Sequence, residues 1–394
     1  MLASEKRRGT PFFLRIATMR WLAVLVFLSF GTACFAQELP QRMTTAALPA
    51  EYEPHWVWVD DIAFGHMMDG RAYLVDADSE KFLGTLSTGG FFKKLELPTN
   101  TPEIYAAATF YTRVNRGERT DVVTVFDRQT LSPVDEIVIP PKRMTGAPTI
   151  AHSALTDDQR FMLVANLTPA QSVSVVDMQE RKFVGEIATP GCTLVFPTGP
   201  RRFMSFCGDG SLLTVNLDAE GNDARQARSE PFFDPWQDPV SVKGVRVNDQ
   251  WLFVSFDSQV HAVDIAGEEP RFLPTWSLLT DKDRRDSWRT GGIQMLAVHE
   301  KRGLLFTLMH RGGIETHKDP GNRVWVYDLA TRERIRKIKL KGAATSIQVT
   351  QDDDPLLLAA FIGMPKLTVY DPDTGEHLRS ISQLGSTITM LQTN

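Results

Sequence analysis

One short phrase recurs seven times along this chain and limits its possible folds more than any other feature. Each copy is a mostly apolar run of four or five residues that ends in aspartate and precedes a polar turn. The copies are Ala72-Tyr-Leu-Val-Asp76, Val123-Thr-Val-Phe-Asp127, Ser174-Val-Val-Asp177, Thr214-Val-Asn-Leu-Asp218, His261-Ala-Val-Asp264, Val324-Trp-Val-Tyr-Asp328 and Leu367-Thr-Val-Tyr-Asp371. Successive aspartates are 51, 50, 41, 46, 64 and 43 residues apart, close to the period of a four-stranded propeller blade. We therefore predict an all-β, seven-bladed β-propeller.

Each repeated aspartate is predicted to open a turn, because its carboxylate can accept hydrogen bonds from backbone N–H groups two residues on. Thr130, Thr331 and Thr374 are placed to close three of these turns. A further strand follows most turns and a hairpin precedes many of them, so we predict four strands in each blade. The longest step contains the one helical pattern, Thr280 to Ser287. A β-sandwich is the alternative fold, but it does not account for seven similar phrases.

The N-terminus has the order of a secretory signal. A basic stretch ending at Arg20 precedes the apolar run from Trp21 to Phe30, and small residues then lead to Ala36. We predict that residues 1–36 are a signal peptide cleaved near Ala36 and that the protein is exported to the periplasm. Met19 is an alternative start. Residues 37–394 are assigned to the propeller, with 37–53 as an N-terminal extension.

Two other interpretations of this segment are less favoured. Trp21 to Ala36 spans 16 residues, short of the roughly 20 that a membrane-spanning helix needs, so no membrane span is expected after cleavage. Lipidation at Cys34 is disfavoured because Gly31 stands where such a site prefers a branched aliphatic residue. Beyond residue 36 the chain has 38 basic and 47 acidic residues, a net charge of −9, which argues against a nucleic-acid partner.

The two cysteines that follow the signal segment are predicted to face each other in a hairpin. Cys192 and Cys207 flank a turn at Gly199-Pro200, and a hairpin centred there pairs positions whose numbers sum to 399, as these two do. Directly opposed residues have Cβ atoms about 4.5–5.5 Å apart, close to disulfide range. An exported chain favours a Cys192–Cys207 disulfide over two buried free thiols.

Motifs for catalysis are missing from the sequence. The eight histidines form no HExxH, and the chain has no CxxCH and no G-x-S-x-G. Asp76-Ala-Asp and Asp371-Pro-Asp resemble the start of a calcium loop, but both fall on the recurring turn and lack the glutamate at position 12. We predict no catalytic residue, no metal site and no cofactor in this chain.

Bulky apolar residues stand where solvated loops are usually polar. Phe91-Phe92 follows Gly89-Gly90, and Pro231-Phe-Phe-Asp-Pro-Trp236 lies between the fourth and fifth blades. Exposed apolar clusters are typical of protein contact surfaces. The alternative is that each loop packs onto its own blade.

Several longer phrases resemble one family over essentially the whole mature chain. They are Thr112 to Asp127, the Cys192 to Cys207 hairpin with Gly208 to Val215, Trp276 to Thr280 with Trp288 to Gly292, Met309-His310, and Thr316 to Lys318. On these phrases the chain resembles the large (heavy) subunit of quinoprotein amine dehydrogenases, the methylamine and aromatic amine dehydrogenases. The family fold is a seven-bladed propeller with a disulfide in the matching hairpin.

The resemblance implies a function for the complex rather than for this chain alone. In that family two large and two small (light) subunits form an α2β2 complex. The small subunit carries the tryptophan tryptophylquinone cofactor and the catalytic base, and electrons pass to a small blue-copper protein of the amicyanin or azurin type. The resemblance matches Phe91 to a phenylalanine of the substrate channel, and Phe91 and Phe92 are expected at the channel or the small-subunit interface.

The amine itself stays open at this stage. Ile139 to Gly146 and Phe203 to Gly210 resemble the aromatic amine type, whereas Arg116 to Thr120 and Gln383 to Gly385 also resemble the methylamine type. The rival function is a stand-alone periplasmic propeller that acts as a binding module or a lactonase-like hydrolase. Co-purification with a small cysteine-rich chain that absorbs visible light favours the first reading.

Overall fold

The seven recurring phrases occupy the third strands of seven separate antiparallel sheets, counted outward from the centre of a ring. The computed structural model describes residues 46–146 and 149–393, and the predicted signal peptide lies outside them. The strands are β1 (Trp56–Asp61), β2 (Gly70–Asp76), β3 (Phe82–Gly89), β4 (Glu103–Tyr111), β5 (Arg119–Asp127), β6 (Pro133–Ile139), β7 (Ser153–Leu155), β8 (Phe161–Asn166), β9 (Ser172–Asp177), β10 (Lys182–Ala188), β11 (Cys192–Gly199), β12 (Arg202–Cys207), β13 (Leu212–Leu217), β14 (Asp223–Arg228), β15 (Val245–Val247), β16 (Gln250–Val254), β17 (Gln259–Asp264), β18 (Arg271–Phe272), β19 (Trp276–Ser277), β20 (Trp288–Thr290), β21 (Leu296–His299), β22 (Leu304–Arg311), β23 (Gly321–Asp328), β24 (Arg334–Ala344), β25 (Ser346–Val349), β26 (Leu357–Phe361), β27 (Met364–Tyr370), β28 (His377–Ser382) and β29 (Ile388–Thr393).

These strands confirm the predicted seven-bladed β-propeller. From the inner to the outer edge, blade 1 is β29-β1-β2-β3, blade 3 is β7 to β10, blade 4 is β11 to β14 and blade 7 is β25 to β28. Blade 2 contains β4-β5-β6, and the bridges Gly90↔Thr109 and Glu96↔Tyr105 place the preceding segment at its inner edge. Blades 5 and 6 are built on β15 to β18 and on β20 to β24. Because β29 pairs with β1, the C-terminal strand closes the ring.

The aspartate turns form as predicted. Asp127 accepts hydrogen bonds from the backbone N–H of Thr130 at 2.7 Å, Asp328 from Thr331 at 2.8 Å, and Asp371 from Thr374 at 3.0 Å. The backbone N–H donors lower the pKa of all three carboxyl groups below the usual range. The calcium-like phrases are therefore hairpin turns in this structure.

The predicted helix is confirmed as one short turn. α1 spans Asp281–Arg285. Thr280 caps it by accepting a hydrogen bond from the backbone N–H of Asp283 at 3.2 Å, and the Asp283 carboxylate accepts one from the Thr280 N–H at 3.0 Å. This reciprocal capping box satisfies donors that a helix start leaves free. α1 lies in the long connection between blades 5 and 6, as expected from the 64-residue step.

The topology separates two ends of the propeller. Neighbouring strands run antiparallel, so the aspartate turns between third and fourth strands lie at one end, here called the turn face. The loops between second and third strands, and the connections from one blade to the next, lie at the opposite end, here called the loop face. The segment Gly89 to Phe92 and the loop Ile62 to Asp69 both belong to the loop face.

Candidate functional site

The cysteine hairpin lies in blade 4, away from the other predicted site residues. Cys192 and Cys207 are directly paired in the β11–β12 register and form a disulfide. Both are buried. The pairs Cys192↔Cys207 and Thr193↔Phe206 follow the predicted sum of 399, but the register then shifts, and Gly199 pairs with Arg202. The hairpin therefore turns at Pro200-Arg201, one residue later than predicted. The disulfide prediction is confirmed, because the register shifts lie between the cysteines and the turn and leave the two cysteines paired.

The loop face carries most of the exposed apolar surface. Among the described residues twelve large apolar side chains are exposed, and seven of them lie at this end: Phe64, Phe110, Val114, Leu167, Trp236, Ile314 and Met364. The other five lie on the outermost strands of their blades: Phe82, Val134, Val138, Ile335 and Leu378. The loop face is therefore the more apolar of the two ends of the propeller.

Phe91 and Phe92 have different environments. Phe92 is fully buried with Trp58, Leu86 and Leu95 in the core between blades 1 and 2, whereas Phe91 is partly exposed on the loop face. Of the pair, only Phe91 offers side-chain surface to another molecule. Phe64, Phe110 and Val114 are exposed at the same end of the propeller, and we call Phe91 with these three side chains the apolar patch.

The two glycines before Phe91 allow a close crossing of the chain. A Cβ on Gly90 would lie 2.5 Å from the Thr109 carbonyl oxygen, and one on Gly89 would lie 2.5 Å from the Phe110 ring. Gly89 also has φ +84°, a conformation that favours glycine. The Gly-Gly pair therefore lets this segment run along β4 and present Phe91 at the surface.

Phe91 itself adopts a backbone conformation that is uncommon for a bulky residue. Its φ is +53°, in the left-handed region that non-glycine residues seldom occupy. The Phe91 N–H donates to the Met67 carbonyl at 2.7 Å. The Phe91 carbonyl accepts a hydrogen bond from Nη1 of Arg143 at 3.1 Å. The conformation is thus held from both sides of the residue.

Arg143 is a buried cation, 3% exposed, that binds carbonyls of this segment. Nη2 donates to the Gly90 carbonyl at 3.0 Å and to Oγ1 of Thr109 at 2.9 Å. Burial lowers the pKa of Arg143 to about 10, and the charge of Asp121 opposes that shift. The side chain is therefore charged at neutral pH.

The main chain of Arg143 is anchored as firmly as its side chain. Its N–H donates to the buried Asp121 carboxylate at 2.8 Å, and its carbonyl accepts from Nη2 of Arg119 at 2.7 Å. Asp121 also pairs with the Arg119 guanidinium at 2.8 and 2.9 Å and accepts from Thr109 Oγ1 at 2.7 Å. We call Thr109, Arg119, Asp121 and Arg143 the arginine node. It links blade 2 to the segment that carries Phe91.

The sequence analysis did not find the arginine node. Arg143 is 52 positions from Phe91 and 34 from Thr109, so the contact depends on the packing of neighbouring blades rather than on a local motif. The one sequence signal is Asp121, which stands directly before the mostly apolar run from Val122 to Phe126. A buried carboxylate in such a strand requires partners.

A cavity of about 420 Å³ lies along the axis of the ring, lined by inner strands that include Lys94, Arg246, Gln348 and Gln392. Glu300 is the carboxylate that lines this cavity, and it accepts a backbone N–H hydrogen bond at 2.6 Å. In the neighbouring cavity Glu96 pairs with Lys94 at 2.9 Å and Asp157 with Arg246 at 2.6 Å. Within residues 46–146 and 149–393, no group of three or more His, Cys, Asp or Glu residues is arranged to hold a metal ion.

The aromatic loop between blades 4 and 5 divides between the two interpretations. Phe232 and Phe233 pack onto the two blades that the loop connects. Their ring centroids lie 5.8 and 6.1 Å from that of Phe206 in blade 4, and Phe232 stacks on Phe272 of blade 5 at 4.6 Å. Trp236 is 93% exposed. Local packing therefore accounts for the two phenylalanines, and Trp236 belongs to the exposed apolar surface of the loop face.

Comparison with known proteins gives one consistent family. The profile of the methylamine dehydrogenase heavy chain (MADH) family matches residues 53–394. The methylamine dehydrogenase heavy chain of Methylorubrum extorquens is 32% identical over 322 residues, which cover 80% of this chain and 77% of that protein. The heavy chain of Methylophilus methylotrophus is 30% identical over 355 residues, covering 89% and 86% of the two chains.

Structural comparison extends to proteins that share only the fold. The periplasmic gluconolactonase of Pseudomonas aeruginosa superposes with a TM-score of 0.58 at 15% identity, covering 86% of this chain and 98% of that one. At this identity the similarity concerns the propeller alone.

No helix in the described part of the chain has the length and apolar character needed to cross a membrane.

Proposed function

The chain belongs to the methylamine dehydrogenase heavy chain family, and from this we propose that it is the non-catalytic large subunit of a periplasmic amine dehydrogenase. In the proposed reaction a primary amine and water give an aldehyde, ammonia, two electrons and two protons. This chain frames the substrate channel and holds the small subunit that carries the quinone. The electrons then pass to a small blue-copper protein.

The apolar patch on the loop face is the structural observation that supports this role. It is an exposed apolar surface at one end of the propeller. Such a surface fits a chain that binds a second subunit. A stand-alone hydrolase requires an available general base or a metal ion, and two carboxylates beside the central cavities, Glu96 and Asp157, are held in ion pairs.

The tryptophans of this chain do not fit the quinone cofactor, which supports its placement on the small subunit. A quinone built from two tryptophans needs adjacent indoles that substrate can reach. Among the described residues the adjacent indole pair is Trp288 and Trp325, with ring centroids 5.2 Å apart. Trp325 is completely buried and lies against Arg334 and Lys337, 4.1 and 4.3 Å from its ring centroid.

The proposed assembly is an α2β2 complex, and it gives a direct experiment. We expect an affinity-tagged copy of this chain, co-expressed with the candidate small subunit, to retain a cysteine-rich chain that absorbs visible light. The purified complex should reduce an artificial electron acceptor with a primary amine, and the large subunit alone should not. Amine oxidation by the isolated large subunit would refute the non-catalytic assignment.

Phe91→Ala tests the channel role of this residue in the assembled complex. An aromatic ring can bury roughly 150–250 Å² against a partner, and a gate discriminates by the room that it leaves for the substrate. We expect the ratio of kcat/KM for methylamine and 2-phenylethylamine to change by about tenfold, with the propeller still folded because Phe91 lies outside the blade cores. Phe110→Ala, in the same patch, is the matched control.

The two possible failures of this prediction are distinct. If both kcat/KM values stay at wild type while subunit association weakens, Phe91 is an interface residue only. If neither kinetics nor association changes, the assignment of Phe91 to the channel is wrong.

A further inference from the structure

We propose that Arg143 is a positioning residue for Phe91 and that it thereby sets the amine preference of the assembled enzyme. The inference rests on the proposed role of Phe91 at the channel. It extends that role to a residue of another connection, on the far side of blade 2, which touches the Phe91 backbone rather than the ring.

Phe91 has a backbone conformation that needs support from its surroundings. A φ of +53° is unfavourable for a side chain with a Cβ, and such conformations persist only where the surroundings enforce them. The Met67 carbonyl holds the N–H of Phe91, and Arg143 holds its carbonyl. Without Arg143 the carbonyl side is released, and Phe91 is free to return to an ordinary conformation with its ring in a different place.

The Arg143 side chain binds the backbone of the segment that carries Phe91. Its guanidinium donates to two successive carbonyls, those of Gly90 and Phe91, and a planar fork suits this geometry better than a lysine ammonium. The nearby Asp121 carboxylate pairs with the Arg119 guanidinium instead. The charge of Arg143 is therefore directed at the segment that carries Phe91.

Arg143 is itself held in place by buried partners. Asp121 and Thr109 are both completely buried, and they fix the main chain and one Nη of Arg143 at 2.8 and 2.9 Å. A positioning residue controls another group only when its own place is fixed. The arginine node satisfies this condition, and blade 2 thus serves as the fixed reference for the Phe91 ring.

The test is a double-mutant cycle in the α2β2 complex, with methylamine and 2-phenylethylamine as probes. Arg143→Lys keeps the charge and loses the fork. We expect it to shift the ratio of the two kcat/KM values by about tenfold, in the same direction as Phe91→Ala. In the Phe91→Ala background the same change should shift the ratio less than twofold, since a residue that acts through the ring has no effect once the ring is gone.

Arg202→Lys is the matched control for a partly buried arginine that binds backbone carbonyls. Arg202 also donates to a backbone carbonyl of a neighbouring blade, that of Ile265 at 2.8 Å, and burial likewise lowers its pKa. The Arg202→Lys substitution should reduce the stability of the propeller and leave the ratio of the two kcat/KM values at wild type. If Arg143→Lys fails to assemble, Thr109→Val replaces it in the same cycle, because it removes one acceptor of Arg143 without changing the volume.

Three results overturn the proposal. They are an unchanged ratio in Arg143→Lys or its Thr109→Val substitute, an equal shift with and without the Phe91 ring, and a ratio shift of the same size in Arg202→Lys. Hydrogen exchange at the Phe91 amide separates this proposal from the underlying function. Faster exchange in Arg143→Lys supports positioning, and unchanged exchange refutes it. If Phe91→Ala leaves selectivity at wild type, the channel role fails and the selectivity part of the proposal fails with it.

Discussion

At the scale of single residues, the aspartates of the recurring turns do more than close a hairpin, and Asp177 shows this best. It is 1% exposed, accepts backbone N–H bonds from Gln179 and Glu180 at 3.0 Å, and pairs with Arg160 at 2.9 Å. Burial by itself raises the pKa of a carboxyl group, but the Glu180 N–H and Arg160 outweigh it and hold the pKa of Asp177 below the usual value.

Asp177→Asn should therefore destabilise the propeller by about 1–3 kcal/mol at pH 7, because it replaces the carboxylate oxygen that accepts from Arg160 by an NH₂ group and removes the charge. A carboxyl group whose pKa is lowered on folding stabilises the folded state when the pH is above its unfolded-state pKa of about 4. This stabilisation is lost as the pH falls through the folded-state pKa. Urea denaturation at pH 7 and pH 3 measures both terms. Asp218→Asn is the control, and an equal loss there would contradict the contribution assigned to Arg160.

At the scale of elements, the blade 4 hairpin is tied by a disulfide whose contribution can be measured. It closes a loop with a sequence separation of 15, which in the chain-entropy model stabilises by roughly 3 kcal/mol. Cys192→Ser with Cys207→Ser should lower the unfolding free energy by about that amount. Reduction of the intact protein should add the mass of about two hydrogens. Two free thiols before reduction would refute the bond in the exported protein.

The same hairpin shows how far sequence reasoning reached. The alternation of residues and the aspartate turns are local, so strands, blade count and the Cys192–Cys207 pairing could be predicted. The register shift between Thr193 and Phe196 could not, because it depends on local backbone geometry such as the φ of +66° at Leu194. The burial of Phe92 was equally hidden, since it depends on side chains of blades 1 and 2 that meet only in the folded ring.

At the scale of the whole molecule, the ring depends on contacts between blades, which no repeat within one blade can specify. The arginine node joins blade 2 to the segment before it, and Gln392 of blade 1 bonds both the N–H and the carbonyl of Leu95 at 2.8 Å. Such contacts keep seven similar sheets in one ring.

On the turn face a histidine bridges the first and last blades. His55, just before β1, lies 2.6 Å from Asp78 of blade 1 and 3.1 Å from Asp352 of blade 7. Burial lowers the pKa of a histidine, but the hydrogen bond and charge of Asp78, with the charge of Asp352, outweigh it here and raise the pKa of His55. The protonated ring thus bridges the first and last blades.

This bridge should make the stability of the closed ring depend on pH. A histidine whose pKa is raised on folding stabilises the folded state. Its full contribution is present below the unfolded-state pKa of about 6.5, and it is lost as the pH rises through the folded-state pKa. His55→Asn should then lower the free energy of unfolding by about 1 kcal/mol or less at pH 5.5, given partial solvent screening, and by a smaller amount at pH 8.5. Urea denaturation at the two pH values measures the difference. His377, whose pKa is lowered by burial, is the control, and His377→Asn should show the opposite trend. An equal loss at both pH values would mean that His55 joins the blades by packing and neutral hydrogen bonds rather than by its charge.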